Sequence, residues 1–266
     1  VNAERYTHGH HESVLRSHTW RTAENSVAYL LPHLSPGLSL LDVGAGPGTI
    51  TVDLARRLAP GRVLGVDASA EVVETARAHA SEQSVAVEFA VGDASALDLP
   101  DGTFDVVHAH QVLHHLARPA EALREWRRVL APGGIVAARE VDYAGTVLYP
   151  ETDGLRAWAA LYQRVHRANA GDPDAGRRLL AWAHEAGFTD VEPTGSVWVF
   201  ATPELRAWWG GMWADRVLQS AFATDALRHG FATQGELEAI SRAWRDWAAD
   251  ADGWMSMPHG EIVARG

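Results

Sequence analysis

The chain has 266 residues, 47% of them hydrophobic and 21% charged, which is enough apolar material for one large core with an added cap; no run of about 18 apolar residues offers a membrane span. It contains no cysteine and no lysine, so disulfides, thiolate-held metals, thiol nucleophiles, a P-loop lysine and a Schiff base to pyridoxal phosphate are all excluded. A formal charge of −11 opposes a partner held through phosphates, so a small-molecule substrate is expected rather than nucleic acid, and without a leader pattern the chain is expected in the cytoplasm.

The first segment carries His8, His10 and His11 beside Glu12. Imidazoles suit zinc or nickel, but these precede the first helix in what reads as a solvated run, and no metal is assigned to them. From Glu12 to Leu34 the apolar residues Val27, Leu30, Leu31 and Leu34 repeat at i, i+3, i+4 and i+7, which predicts a helix leading to Pro36 and Gly37. Short apolar runs then follow at Ser39 to Val43, Arg62 to Asp67, Val85 to Val91, Phe104 to His110 and Gly134 to Glu140. Amphipathic stretches such as Ala70 to Gln83 and Arg118 to Leu130 separate most of them. Strands apolar on both faces with helical crossovers imply a parallel sheet covered on both sides, and right-handed crossovers make it doubly wound. Pro132, Gly133 and Gly134 read as a turn into the fifth strand.

Beyond Pro150 the pattern changes, and nine of the 11 tryptophans lie there. Helices are expected at Thr152 to Ala170, Pro203 to His229 and Gln234 to Ala249. Leu179 to Ala186, stopped by Gly187, reads as a crossover helix, Val191 to Phe200 as a sixth strand and Gly260 to Arg265 as a seventh. The roughly 50 residues between these last strands are long enough for a functional cap rather than a connector. Trp209 and Trp213 share a face of one cap helix, next to Trp208, and Trp244 and Trp247 share a face of another. Packing accounts for most of them, and the cap as a whole predicts a dry apolar pocket.

The chemistry is carried by strand ends, where ligands of doubly wound sheets bind. The first run closes in Leu41-Asp42-Val43-Gly44-Ala45-Gly46-Pro47-Gly48, with a helix from about Thr49. A dinucleotide site would space its third glycine one residue later, and the carboxylate of Asp42 would repel a pyrophosphate. Asp42 suits a ligand with an ammonium group and a sulfonium, or else it organises the glycine turn. Asp67, about 20 residues on, is placed to grip both ribose hydroxyls. The third run ends in Gly92-Asp93-Ala94, where the carboxylate can accept from an adenine amine and the Ala94 N–H can reach a ring nitrogen.

From about Leu40 to Glu140 the chain resembles the class I S-adenosylmethionine-dependent methyltransferases, through LLDVGAGPGT, VLGVDAS, VGDASALDLPDGTFDVV, HQVLHHL and RRVLAPGG. The last two blocks are most similar to the ubiquinone/menaquinone-biosynthesis branch. The resemblance implies a Rossmann-like α/β fold, doubly wound with seven strands, the last antiparallel, an N-terminal helix and helical insertions. It also implies S-adenosylmethionine as cofactor and S-adenosylhomocysteine as product. Gly44 and Gly46 would line the methionine portion, Asp67 with Ala68 the ribose, Asp93 and Ala94 the adenine, and His110 with Gln111 the methionine end. The segments divide as an N-terminal lid (1–35), the cofactor-binding core (36–147), a helical insertion (148–174), a core helix and strand (175–200), an aromatic cap (201–253) and the final strand (254–266). Tyr6 and its segment could fold over the cofactor, with Arg16 or Arg21 meeting its carboxylate.

Methyl transfer is an in-line displacement, and a base is needed only if the acceptor must lose a proton. Without Cys or Lys, histidine matches neutral pH best, and His114 is the expected base, by analogy with phosphobase methyltransferases; His115 is expected to point elsewhere. The acceptor is expected to be a small apolar or aromatic molecule, a phenol, quinol or polyketide-like ring, methylated on carbon or oxygen. A nucleobase amine is excluded, because His110-Gln111-Val112-Leu113 stands where a D/N-P-P-Y motif would be needed. Two other functions remain open at this point: a cofactor-binding scaffold or cyclase-like enzyme that keeps the methyl, and an NAD-dependent oxidoreductase.

Overall fold

The computed structural model describes residues 20–266, so Tyr6, His8, His10, His11, Glu12 and Arg16 lie outside the described residues. The sheet is built from β1 (Leu40–Val43), β2 (Val63–Asp67), β3 (Glu88–Val91), β4 (Phe104–His110), β5 (Leu130–Val141), β6 (Val147–Tyr149), β7 (Asp190–Phe200) and β8 (Trp254–Arg265). β3, β2, β1, β4 and β5 lie side by side and parallel. β8 runs antiparallel to β5 on one side and to β7 on the other. β1 is buried along its whole length, as expected of a strand covered on both faces.

The helices between the parallel strands are α2 (Thr49–Leu58), α3 (Ala70–Glu82) and α4 (Pro119–Val129), preceded by a single turn, α1 (Ala23–Ser26). Ser69 caps α3 by accepting from Val72 N, and Pro119 starts α4, where its missing N–H costs nothing. One face of the sheet packs Leu41, Val43, Val107 and Val136 against Leu123, Trp126 and Phe188, while Leu40, Val106 and Ile135 meet Leu54 and Leu58 on the other. The remaining helices are α5 (Asp153–Ala168), α6 (Leu179–Glu185), α7 (Pro203–Gln219), α8 (Ala221–Arg228) and α9 (Gln234–Ala249). α5 and α7–α9 close over the end of β5, β7 and β8 with a core of their own, where Trp158 meets Trp213 and Trp244 at 4.8 Å, edge to face. No helix among the described residues is long and apolar enough to cross a membrane.

Several expectations change in detail. In place of the described part of a helix to Leu34 there is α1 and a 3-10 turn at Leu31–His33, although Val27 and Leu30 are fully buried as the period required. Thr22 and Asn25 cap one turn reciprocally, and Pro32 cannot donate the hydrogen bond a continuing helix needs. The sheet has an eighth strand: beyond a break at 142–146, β6 takes up the edge of β8 that β5 leaves, so β8 begins six residues earlier than the pattern suggested. β3 starts three residues later, at Glu88. The expected helix over Pro203 to His229 is two helices, because Ser220 adopts extended backbone and caps α8 through Phe222 N. Pro132–Gly134 form a bulge inside β5, whose pairing with β4 skips from Leu130 to Ile135.

Candidate active site

The strand ends frame one cavity of about 810 Å³. Its wall includes every residue the motifs singled out: Asp42, Gly44, Gly46, Asp67, Ala68, Asp93, Ala94, His110, Gln111 and His114. The glycine turn joining β1 to α2 explains much of this convergence. Gly44 has φ +70° and a Cβ there would stand 2.4 Å from Val112 Cγ2, so the turn can lie against the end of β4 only because the residue is glycine. Gly48 starts α2 at φ +81°, against the ring of Phe89. The Gly44 and Ala45 N–H groups donate to Val66 O at 2.7 and 3.0 Å, which ties the turn to β2.

The acidic residues divide by what holds them. Asp67 accepts from Gly46 N and Ser69 N, both at 3.0 Å, and is fixed at the cavity wall by backbone alone. Asp93 accepts from Ser95 N at 2.7 Å, while Ala94 O accepts from the Trp126 indole at 2.8 Å. Asp42 is different: one oxygen meets His108 Nδ1 at 2.7 Å and the other accepts from Thr51 Oγ1 at 2.5 Å. Asp42 therefore braces β4 and α2 around the glycine turn while lining the cavity. His108 and Thr51 gave no signal in the sequence, since each reads as an ordinary member of a strand or helix.

At the end of β4 the chain bends sharply. Gln111 adopts φ +56°, rare for a residue with a side chain, and three contacts hold it there: its N–H donates to Arg139 O at 2.8 Å, its Oε1 accepts from Arg21 at 2.7 Å, and its Nε2 meets His259 Nε2 at 2.9 Å. Both ring nitrogens of His110 are buried without a hydrogen-bond partner among the described residues. Burial, then the positive charges of Arg21 and Arg139, push the His110 imidazole well below its ordinary range, so it is neutral. Burial does the same to His259. A buried Arg139 stacks on Trp198 and pairs with Glu261 at 3.1 Å; burial outweighs that partner and lowers the guanidinium to about 10.

His114 sits in a 3-10 turn, Leu113–His115, not on an α-helix. Its Nδ1 meets Glu140 Oε2 at 2.6 Å, and Glu140 Oε1 accepts from Val112 N and Leu113 N at 2.8 and 2.7 Å. A completely buried carboxylate thus fixes both the turn and the imidazole; its trace in the sequence is a lone acid at the end of an apolar strand. The tight turn also overturns the expectation for His115: its ring lies 3.7 Å from that of His114 and lines the same cavity. Tyr143, Trp198, Trp209, Arg216 and Met257 complete the wall from the cap side. Of the cap tryptophans, Trp209 reaches the cavity, whereas Trp213, Trp244 and Trp247 are buried in the cap core.

A doubly wound sheet with its cleft beyond the strand ends, a glycine turn and a backbone-fixed acid at the end of the second strand are the features of an α/β nucleotide-binding fold. The unpartnered nitrogens of His110 and the wall-mounted carboxylate of Asp67 fit a polar ligand with a nucleoside end. A family of methyltransferase domains matches residues 41–138. An uncharacterized methyltransferase of Schizosaccharomyces pombe is 34% identical over 97% of this chain and 95% of its own length. The solved YcgJ protein of Bacillus subtilis shares the fold at TM-score 0.60 and 19% identity, covering 91% of this chain and 98% of that one. The [4+2]-cyclase SpnF aligns at TM-score 0.54 and 26% identity over 98% of this chain and 88% of its own. The chain belongs to the class I S-adenosylmethionine-dependent methyltransferases, the family whose cofactor is S-adenosylmethionine.

Proposed function

We propose that the enzyme moves a methyl group to an oxygen or carbon of a small, largely apolar, ring-bearing acceptor such as a phenol, quinol or polyketide-like molecule. One observation carries this reading: a single cavity joins the strand-end acids to the aromatic and apolar side chains of Tyr143, Trp198, Trp209 and Met257, with His114 in its wall. When bound, S-adenosylmethionine supplies an electrophilic methyl on its sulfonium.

Gly44 and Gly46 let the backbone approach the methionine portion, and His110 with Gln111 border its end. Asp67 accepts from the ribose hydroxyls beside Ala68, while Asp93 and the Ala94 N–H meet the adenine. Asp42 acts through the turn it braces. Glu140 holds the Nδ1–H tautomer of His114, which leaves Nε2 to take the proton of an acceptor hydroxyl or activated carbon. The apolar walls exclude water, and alignment of acceptor and methyl can contribute up to roughly 7–11 kcal/mol to the rate.

The test is turnover with a panel of phenols, quinols and amines, followed by mass spectrometry of product and S-adenosylhomocysteine. Methylated phenols or quinols are expected, with kcat lowered about 10²- to 10⁴-fold in His114→Ala and cofactor affinity retained. Methylation of amines alone, or a bound cofactor that no ring acceptor consumes, would overturn the acceptor class.

A further inference from the structure

Three imidazoles converge at one side of the cavity: His114 and His115, which line it, from the turn after β4, and His166, behind them, from the last turn of α5. One nitrogen from each lies within 4.8 Å of the others. The rings of His114 and His166 are nearly parallel, at 5.3 Å, and His115 lies 5.2 Å from His166. The far nitrogens of His114 and His166 are fixed. Glu140 holds Nδ1 of His114 at 2.6 Å, and Nε2 of His166 donates to His114 O at 2.7 Å. The remaining nitrogen of His166, Nδ1, is buried without a hydrogen-bond partner among the described residues, which a purely structural histidine would have little reason to tolerate.

A carboxylate or a backbone carbonyl on the far nitrogen is how metal-binding histidines are oriented, and it makes the near nitrogen a better donor. We propose that His114 Nε2, His115 and His166 Nδ1 bind one divalent transition-metal ion, of the zinc, cobalt or nickel type, with a fourth position open to the acceptor cavity. Three neutral imidazoles without carboxylate ligands select such ions over magnesium or calcium. Bonds of about 2.0–2.1 Å require the three nitrogens to close to roughly 3.4 Å of one another and the nearly parallel rings of His114 and His166 to tilt toward the ion.

The role of the ion, though not its binding, rests on the methyltransferase reading. With the ion in place His114 Nε2 is a ligand and no longer the base: the acceptor hydroxyl displaces a metal-bound hydroxide from the open position, and that hydroxide leaves as water with the hydroxyl's proton. The oxygen then forms a bond to the methyl carbon as the carbon–sulfur bond breaks, giving the ether and S-adenosylhomocysteine.

Titration of the chelator-stripped full chain with cobalt(II), read by its visible absorption, tests the site directly. One equivalent with a four-coordinate spectrum is expected, with affinity falling at least tenfold in His166→Gln and in His115→Gln. A parallel titration with S-adenosylmethionine establishes that each variant is folded and reads the cofactor site separately. Absence of a stoichiometric cobalt spectrum in the wild type overturns the proposal, and so does undiminished affinity in both folded variants, which would put the ion on other histidines. Loss of cofactor binding by the wild type would instead strike at the cofactor reading and leave the metal result standing.

Discussion

The two halves of the molecule build their parts of the cavity in opposite ways. Around β1, β2 and β3 the wall is made of glycines and short acids; backbone N–H groups fix Asp67 (Gly46 and Ser69) and Asp93 (Ser95), and only Asp42 is held by side chains. Around β5, β7, β8 and the cap it is made of large side chains held by other side chains, with Trp198 between Arg139 and His259 and Trp209 stacked on Phe200 at 4.2 Å. The first design depends on local chain geometry, and tolerates little change in sequence. The second depends on packing among distant segments, so its residues can vary together while the cofactor side stays as it is.

Substitutions that damage one half and spare the other would sharpen this contrast. The largest effect is expected from Trp213→Ala, which empties a fully buried site in the cap core and should cost about 3–5 kcal/mol in a urea titration. If the halves are as independent as their cores suggest, S-adenosylmethionine affinity measured at low temperature should change little; a large loss would show that the cap helps to hold the turn at β1. Glu140→Ala comes next. It strips partners from the part-buried N–H of Val112, from the buried N–H of Leu113 and from His114, and should lower stability by about 2–4 kcal/mol while reducing kcat more than it alters KM for the cofactor.

Asp67→Ala should leave the fold in place and weaken S-adenosylmethionine binding about 10- to 100-fold by calorimetry, the value of one or two hydrogen bonds to a charged group. Unchanged affinity would break the assignment of the backbone-held acid to the ribose. The smallest change belongs to Thr152→Ala, which removes the oxygen that accepts from Leu155 N at the start of α5. It should cost about 1 kcal/mol and lower Tm by about 2–4 °C without touching either function.

The cofactor half was legible because its information is local. A glycine that must adopt φ +70°, or an acid at or just past the end of a strand, leaves its mark close to an apolar run. Asp67, Asp93, Gly44 and Gly46 could therefore be placed on one cavity wall before any contact was known. The role of Asp42 was not legible in the same way, because its partners His108 and Thr51 lie on other elements and nothing in a strand's alternation says which neighbour an acid will meet. His115 was misplaced for a related reason. Helical spacing turns it away from His114, whereas the turn is 3-10 and both rings face the cavity, a choice made by the buried carboxylate of Glu140 accepting from two backbone N–H groups.

Sequence alone determined the parallel order of strands and crossovers, the glycine turn, the strand-end acids and the aromatic character of the cap, since each rests on periodicity, backbone conformation or composition within a few residues. Only the tertiary structure decided that β6 would continue the edge left by β5, that Ser220 would divide one expected helix into two, and that His166 would arrive beside His114 from 52 residues away. Those outcomes come from long-range packing and from satisfying buried polar groups, which are properties of the assembled molecule and have no counterpart in a stretch of chain read by itself.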